Sequence, residues 1–211
     1  MGVIKQGILG GFSGKVANVV GSSWKGIAVL KSLPLSVANP NTAGQQAQRG
    51  AMTTIVAASR ILLAALLQPF WNPFAQRMSG YNAFVKENID TFRTAGFTDF
   101  SDFFSIRGSL LGVVVSSVVA DDSDNTITIN WTDNSGTADA LLTDDLVITI
   151  FNATTNVWLV NAGNAQRDDA TIVIANTAMV ENDLLKVYVG LARPDISKVS
   201  DSTFTATTVV A

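Results

Sequence analysis

The residues most suggestive of chemistry stand near the start of the chain. Gly10-Gly11-Phe12-Ser13-Gly14-Lys15-Val16 has the outline of a phosphate-cradling loop, in which glycine N–H groups and a lysine grip a nucleotide. The spacing fails that chemistry, because Leu9 stands where the first glycine is required and Val16 replaces the metal-binding hydroxyl. Asp121, Asp122, Asp124, Asp144, Asp145, Asp168 and Asp169 fall in predicted turns, where carboxylates could gather calcium or pair for hydrolysis. None of these runs has the spacing of a calcium loop, and acidic turns are what solvated loops ordinarily look like. Trp24, Trp71 and Trp158 could serve as sugar-stacking platforms. Trp158, on a predicted strand beside a polar turn, is the best placed, with Arg167 and the aspartate turns to complete a ligand site. Burial in a core or an interface is the commoner use of such aromatics. The chain has no histidine and no cysteine, which removes the usual means of acid–base, nucleophilic and transition-metal chemistry. The reading therefore assigns no catalytic residue, no metal ligand and no cofactor, and expects a building or binding part, not an enzyme.

The elements that would position these residues fall into three parts. Residues 1–40 hold Gly2, Gly7, Gly10, Gly11, Gly14, Gly21 and Gly26 between short apolar pieces, a composition that opposes helix. Val16–Val20 and Ile27–Leu30 read as a hairpin on an extended arm, turning at Gly21-Ser22-Ser23. A lone hairpin is barely stable in water, so Phe12, Val19, Val20 and Trp24 are expected to dock on a neighbouring subunit. Residues 41–104 read as a helical hairpin. Thr42 and Gln45 have capping-box spacing, the apolar run Ile55–Leu67 follows, and Pro69 is the predicted stop. Asn72-Pro73 then opens a second helix whose Phe74, Met78, Tyr81, Val85, Ile89 and Phe92 share one stripe, weakened near Ser79-Gly80.

From about residue 109 the period changes to two. Predicted strands cover 110–119, 126–131, 146–151, 157–161, 170–175, 185–191 and 202–209. Ile127, Ile129 and Trp131 should face a core, and in the sixth strand Lys186 and Tyr188 should face out. The expected fold is α+β: a Gly-rich β-hairpin arm, an α-helical hairpin, and a seven-stranded Ig/fibronectin III-like β-sandwich over 105–211.

Composition supports an assembly part. Hydrophobic residues make up 47% of the 211 and charged residues 15%, a thin charged coat that suggests apolar surface covered by a partner. The net charge of −3 argues against general nucleic-acid binding. Lys5, Lys15, Lys25, Lys31 and Arg49 bias the arm and the first helical turns positive while the sandwich is acidic. Attraction between the arm of one copy and the sandwich of another would follow, as would a contact with packaged nucleic acid. Disulfides are excluded. Met1–Gly14 shows no apolar run of signal-peptide length. Ile55–Leu67, broken by Ser59 and Arg60, is shorter than the roughly 20 residues that span a bilayer, which leaves contact with a membrane surface open but not a transmembrane span.

Ile4-Lys5-Gln6-Gly7-Ile8-Leu9-Gly10-Gly11-Phe12-Ser13-Gly14-Lys15-Val16 and Val19-Val20-Gly21-Ser22-Ser23-Trp24-Lys25-Gly26 resemble the start of an uncharacterised family from Bacteroidota genomes and their phages. Ala38-Asn39-Pro40-Asn41-Thr42 with Gln45, Gln48 and Arg49 is similar to that family's next signature. So are Asn130–Asn134, Val187-Tyr188-Val189 and Val199-Ser200-Asp201-Ser202. The resemblance carries no activity. The strand region also resembles fibronectin type III modules, with Trp131 at their core tryptophan and Leu184 or Leu185 where their tyrosine is expected. The expectation is a self-assembling or docking structural protein with homo-oligomeric or virion-protein partners and no small-molecule substrate. Its expected setting is a bacteriophage virion, as a minor capsid, decoration or tail part made in the host cytoplasm. The alternative is a surface module that binds a glycan or host protein through Trp158 and Arg167.

Overall fold

A computed structural model of the chain describes residues 3–4, 11–34, 36, 39–93, 101–176 and 178–211. Gly2, residues 5–10 and Ala38, singled out above, lie outside the described residues. The chain divides into two compact units, Met1–Thr42 and Ala43–Ala211.

The first unit is one antiparallel sheet in the order β1 (Val3–Ile4), β2 (Phe12–Val16), β3 (Val19–Trp24), β4 (Ile27–Ser32). Its turns differ from the expected one. Gly21-Ser22-Ser23 lies inside β3, because Gly21 is covered by Phe12: a Cβ there would collide with the Phe12 ring, 2.7 Å away. The chain reverses instead at Ala17-Asn18, where Ala17 has φ 51°, and at Lys25-Gly26, with φ values of 49° and 84°. Two successive positive φ angles are those of the two-residue turn whose twist matches paired strands.

In the second unit a long helix covers Ala43–Phe70. It comprises α1 (Ala43–Leu62), a π turn (Leu63–Leu67) and α2 (Gln68–Phe70). Pro69 lies in its last turn, and the helix ends one residue later, at Phe70. The π turn, with the Gln68 N–H donating to the Leu63 carbonyl, widens the coil just before the proline, and the ladder resumes with the Trp71 N–H donating to Leu67 O at 3.1 Å. The expected second helix is broken. A 3₁₀ turn (Asn72–Phe74) is followed by irregular backbone, and α3 (Gly80–Asn88) starts at a Ser79 cap whose hydroxyl accepts from the Asn82 N–H. Gly80 sits against Asn72 and Trp71 too closely for any side chain. Phe74 and Met78 are consequently exposed, whereas Phe84 and Asn88 carry the buried face.

The strands β5 (Val114–Asp121), β6 (Thr126–Thr132) and β9 (Thr171–Ala175) form a three-stranded sheet. A four-stranded sheet has the order β11 (Thr203–Thr208), β10 (Leu184–Ala192), β7 (Asp145–Asn152), β8 (Val157–Gln166). β8 runs five residues past its predicted end at Asn161. A bulge at Gly163, with φ 73°, interrupts the alternation there and hides the rest of the strand from a period-two reading. The sheets share one core, in which Ile127, Ile129 and Trp131 of β6 meet Ile148 of β7 and Val187 and Val189 of β10.

The second face of the four-stranded sheet is covered as well. Val147, Phe151 and Tyr188 join Ile55, Leu62, Leu66, Trp71, Phe84 and Phe103 in a separate core against the helices. Tyr188, expected to face out, is fully buried. β7 and β10 are covered on both faces, so their sequences read as near-continuous apolar runs. Helices and strands thus form one three-layered unit, and the helical part expected at 41–104 is not a separate one. Buried polar groups tie the layers to the chain that joins them. The Trp71 Nε1–H donates to Ser105 O at 2.7 Å, and the Asn88 amide both donates to Phe104 O and accepts from its N–H.

Candidate functional site

The arm strands alternate, so their register sorts the side chains onto two faces. Gly14 is opposite Gly21, Val16 opposite Val19, Gly21 opposite Leu30 and Val20 opposite Lys31. One face therefore carries Phe12, Val16, Val19 and Leu30 and no charge. The other carries Lys15, Val20, Trp24, Ile27 and Lys31. The four residues expected to dock on a neighbour divide between them, with Phe12 and Val19 on the first face and Val20 and Trp24 on the second.

Neither face is covered. Leu30 is 66% exposed on one, and Trp24 and Ile27 are 64% and 61% exposed on the other. Among the described residues of this unit only Gly21 is buried. Its sheet thus gains little of the apolar burial that stabilises the second unit, where each buried side chain is worth about 1.5–3 kcal/mol. The Lys25 ammonium lies 5.1 Å from the centre of the Trp24 ring, close enough for a weak cation–π attraction at the rim of the lysine-bearing face.

Charge is segregated well beyond the first forty-nine residues. Residues 1–86 hold eight lysines and arginines and no aspartate or glutamate, whereas the remaining six basic and all seventeen acidic residues follow, giving +8 and −11 within a total of −3. A count by halves of the chain would have shown this; a search for local motifs does not.

The two residues read as ligand-binding are placed otherwise. Arg167 is fully buried. Its Nη2 donates to Asp144 Oδ2 at 2.9 Å and to Leu111 O at 2.8 Å, its Nε donates to Leu141 O at 3.1 Å, and its Nη1 is bonded to Asn134. The Arg167 carbonyl accepts from the Trp131 indole at 2.8 Å. This arginine ties loops at one end of the strand unit together and has no face for a surface ligand. Trp158 stacks on Phe151 at 4.4 Å and on Phe103 at 5.5 Å, as part of the aromatic contact between sheet and helices. The cavity at its edge is about 130 Å³, well below the ~300 Å³ at which ligand pockets begin.

A groove of about 630 Å³ is lined by Phe74, Arg107, Lys198 and Asp201 among others. Its charged groups are engaged: Arg107 pairs with Glu87, Lys198 with Asp139 at 2.9 Å, and Asp201 accepts from the Gly108 N–H at 2.9 Å. Among the described residues no three acidic side chains converge in a way that could hold a metal. The Asp121 carboxyl is held below its ordinary pKa by the Ser123 hydroxyl and N–H, Asp139 by Lys198, and Asp195 by Ser197. In each case hydrogen bonds to the ionised form outweigh desolvation.

The long helix Ala43–Phe70 is apolar and long enough by composition to cross a membrane, and its Ile55, Leu62, Leu66 and Leu67 are buried against the protein's own core. Buried core helices of soluble proteins share that composition.

No curated protein sequence matches the chain. Among solved structures it is similar to the fn3 domain of human collagen alpha-1(XX) chain, at 10% identity and TM-score 0.32, covering 49% of this chain and 83% of that one. It is similar also to the FN1–FN3 domains of chicken CNTN1, at 15% identity and TM-score 0.36, covering 49% and 34%. A family 76 glycoside hydrolase from a bovine Bacteroides thetaiotaomicron strain matches at 11% identity and TM-score 0.34, covering 50% of this chain and 21% of its own. Likeness at this level says nothing about activity. A family model matches residues 11–206, nearly the whole chain, and the protein belongs to that family, the family of unknown function DUF6266.

Proposed function

We propose that this protein is a non-enzymatic structural part that assembles in several copies or docks in a larger assembly. The observation that carries the reading is the arm sheet, a single layer with apolar side chains exposed on both faces and almost nothing buried between them. An uncovered sheet of this kind is not expected to be stable by itself, and a partner surface is the usual remedy. The absence of histidine and cysteine, and the engagement of the strand unit's buried charges in its own architecture, support the non-enzymatic half of the proposal.

A bacteriophage virion is the setting we favour, as a minor capsid, decoration or tail part, in which the arm docks and the strand unit is a seven-stranded fibronectin III-like sandwich. Support for the setting is the N-terminal resemblance described above. The test is the solution mass of the full chain by light scattering, against a variant lacking residues 1–42. The expected result is a multimer that the deletion reduces to a folded monomer. A full chain that is monomeric at all concentrations removes self-assembly, and a deletion variant that assembles as well as the parent removes the arm's part in it.

A further inference from the structure

The lysine-bearing face of the arm presents Lys15 and Lys31 on either side of Val20, with Trp24 and Ile27 exposed beside them. The two ammonium groups stand on strands about 9.5 Å apart, two strand spacings. With no acidic residue before Glu87, nothing within the first unit neutralises them. This face repels a copy of itself and favours an acidic surface that also offers apolar contact.

The strand unit has such a surface at one end. Asp121, Asp122, Asp124 and Glu181 gather there, held together by the Glu181 N–H donating to Asp122 Oδ2 at 3.2 Å and by Ser123 donating to Asp121 from both its N–H and its hydroxyl. The Asp122 N–H donates to Val210 O at 2.8 Å, which sets Val210 among the carboxylates, and Val180 adjoins Glu181 in the chain. Val180 is 59% and Val210 50% exposed. Among the described residues none of these four carboxylates belongs to an ion pair. Opposite charge and unburied apolar side chains thus occur together on two surfaces of the same chain.

We infer that the lysine-bearing face of one copy's arm docks on the Asp121–Asp124 and Glu181 end of a second copy. The contact is head-to-tail, so each copy gives one surface and receives on the other, and successive copies form a ring or a filament according to the rotation between them. Val20, Trp24 and Ile27 cover Val180 and Val210, and the lysines meet the carboxylates at the rim. The inference rests on the assembly reading and specifies its partner as a second copy of this chain.

Charge exchange on the full-length protein tests it. Lys15→Glu with Lys31→Glu should weaken self-association about tenfold or more, read as the shift in the mass–concentration curve by light scattering, and Asp124→Lys with Glu181→Lys should do the same. All four residues are exposed, and near-ultraviolet circular dichroism confirms that each variant is folded. Mixing the two reversed proteins, or combining the four changes in one chain, should restore association, since the like-charge contact becomes an attractive one again. Assembly unchanged by either reversal overturns the inference and leaves the assembly reading standing through the uncharged arm face. Loss of assembly that the combination does not restore overturns it too. A wild-type chain that is monomeric throughout removes the inference and, with it, the self-assembly half of the reading.

Discussion

The arm and the strand unit use the same kinds of side chain and arrive at opposite states. In the strand unit Phe103 touches Phe84, Phe92, Trp158 and Tyr188, with ring centres 4.8 to 6.1 Å apart, and links the helical layer to the four-stranded sheet. In the arm Trp24, Ile27 and Leu30 are as apolar and touch mainly solvent. The kind of apolar side chain does not separate the two regions; layering does. Two sheets and a helical layer give the second unit two cores, while a single sheet can only hold apolar residues on display. The difference places the buried cores in residues 43–211 and the uncovered apolar side chains in residues 1–42.

The largest expected effect tests that contrast directly. Phe103→Ala should cost about 3–5 kcal/mol in chemical denaturation of the full chain, because it empties the junction of two layers. Trp24→Ala should change the stability of the dissociated chain by no more than about 0.5 kcal/mol, as for an exposed site with few contacts. A Trp24→Ala loss comparable to that of Phe103→Ala would show that the arm has a core of its own and would end the contrast.

A second effect, of about 3 kcal/mol or more, is expected at the buried ion pair. Arg167→Ala leaves Asp144 fully buried, with Arg193 at 3.6 Å the only remaining cation beside it among the described residues, and takes from the Leu111 carbonyl the donor that Arg167 supplies. Arg167→Met with Asp144→Leu removes both charges and should recover a large part of the loss. The comparison is by denaturant midpoint at constant slope. If Arg167→Ala is neutral, the arginine is not a structural tie, and a ligand role for it regains force.

Much of this architecture was legible in the sequence. The period-two runs after residue 110 locate the strands to within a few residues, since turns such as Asp121–Asn125 punctuate them and β6 alternates cleanly. Tyr188 was not legible, because alternation tells which residues share a face and not whether a second layer covers the other one. The end of the long helix is legible at Pro69 to within one residue, whereas the π turn before it is a backbone adjustment with no side-chain signature. In the arm Ile27–Leu30 is legible as a strand, but the expected strand Val16–Val20 straddles the reversal at Ala17-Asn18, and Gly21 serves close packing under Phe12 while Lys25-Gly26 makes the second reversal. The docking residues were named without their faces, because faces follow from register and register follows from that turn. Arg167 could not be told from a surface arginine, since its burial depends on loops brought together from residues 111, 134 and 141–144.

The smallest expected effect lies on the surface of the stable unit. Lys198 bonds Asp139 at 2.9 Å and Arg193 donates to the Asp139 carbonyl, so one acidic residue joins two strand-end loops. The Lys198 hydrogen bond is the largest cause of the lowered Asp139 pKa. A carboxyl whose folded pKa is depressed contributes stability that is fully present above its unfolded value of 3.8 and is lost as the pH falls through the lower, folded one. The contribution is therefore constant at neutral pH and fades only in strong acid. Lys198→Met should move the Asp139 carboxyl carbon titration, followed by NMR, back toward its ordinary midpoint, while Asp121, held by Ser123, stays where it is. Screening by salt should shrink the Asp139 shift more than the Asp121 shift, because only the first has an ionic partner. Equal responses at the two carboxyls would mean that the lysine adds no more than a neutral hydrogen-bond donor would, and that the strand unit is stabilised at this end by packing and by the buried Arg167 pair alone.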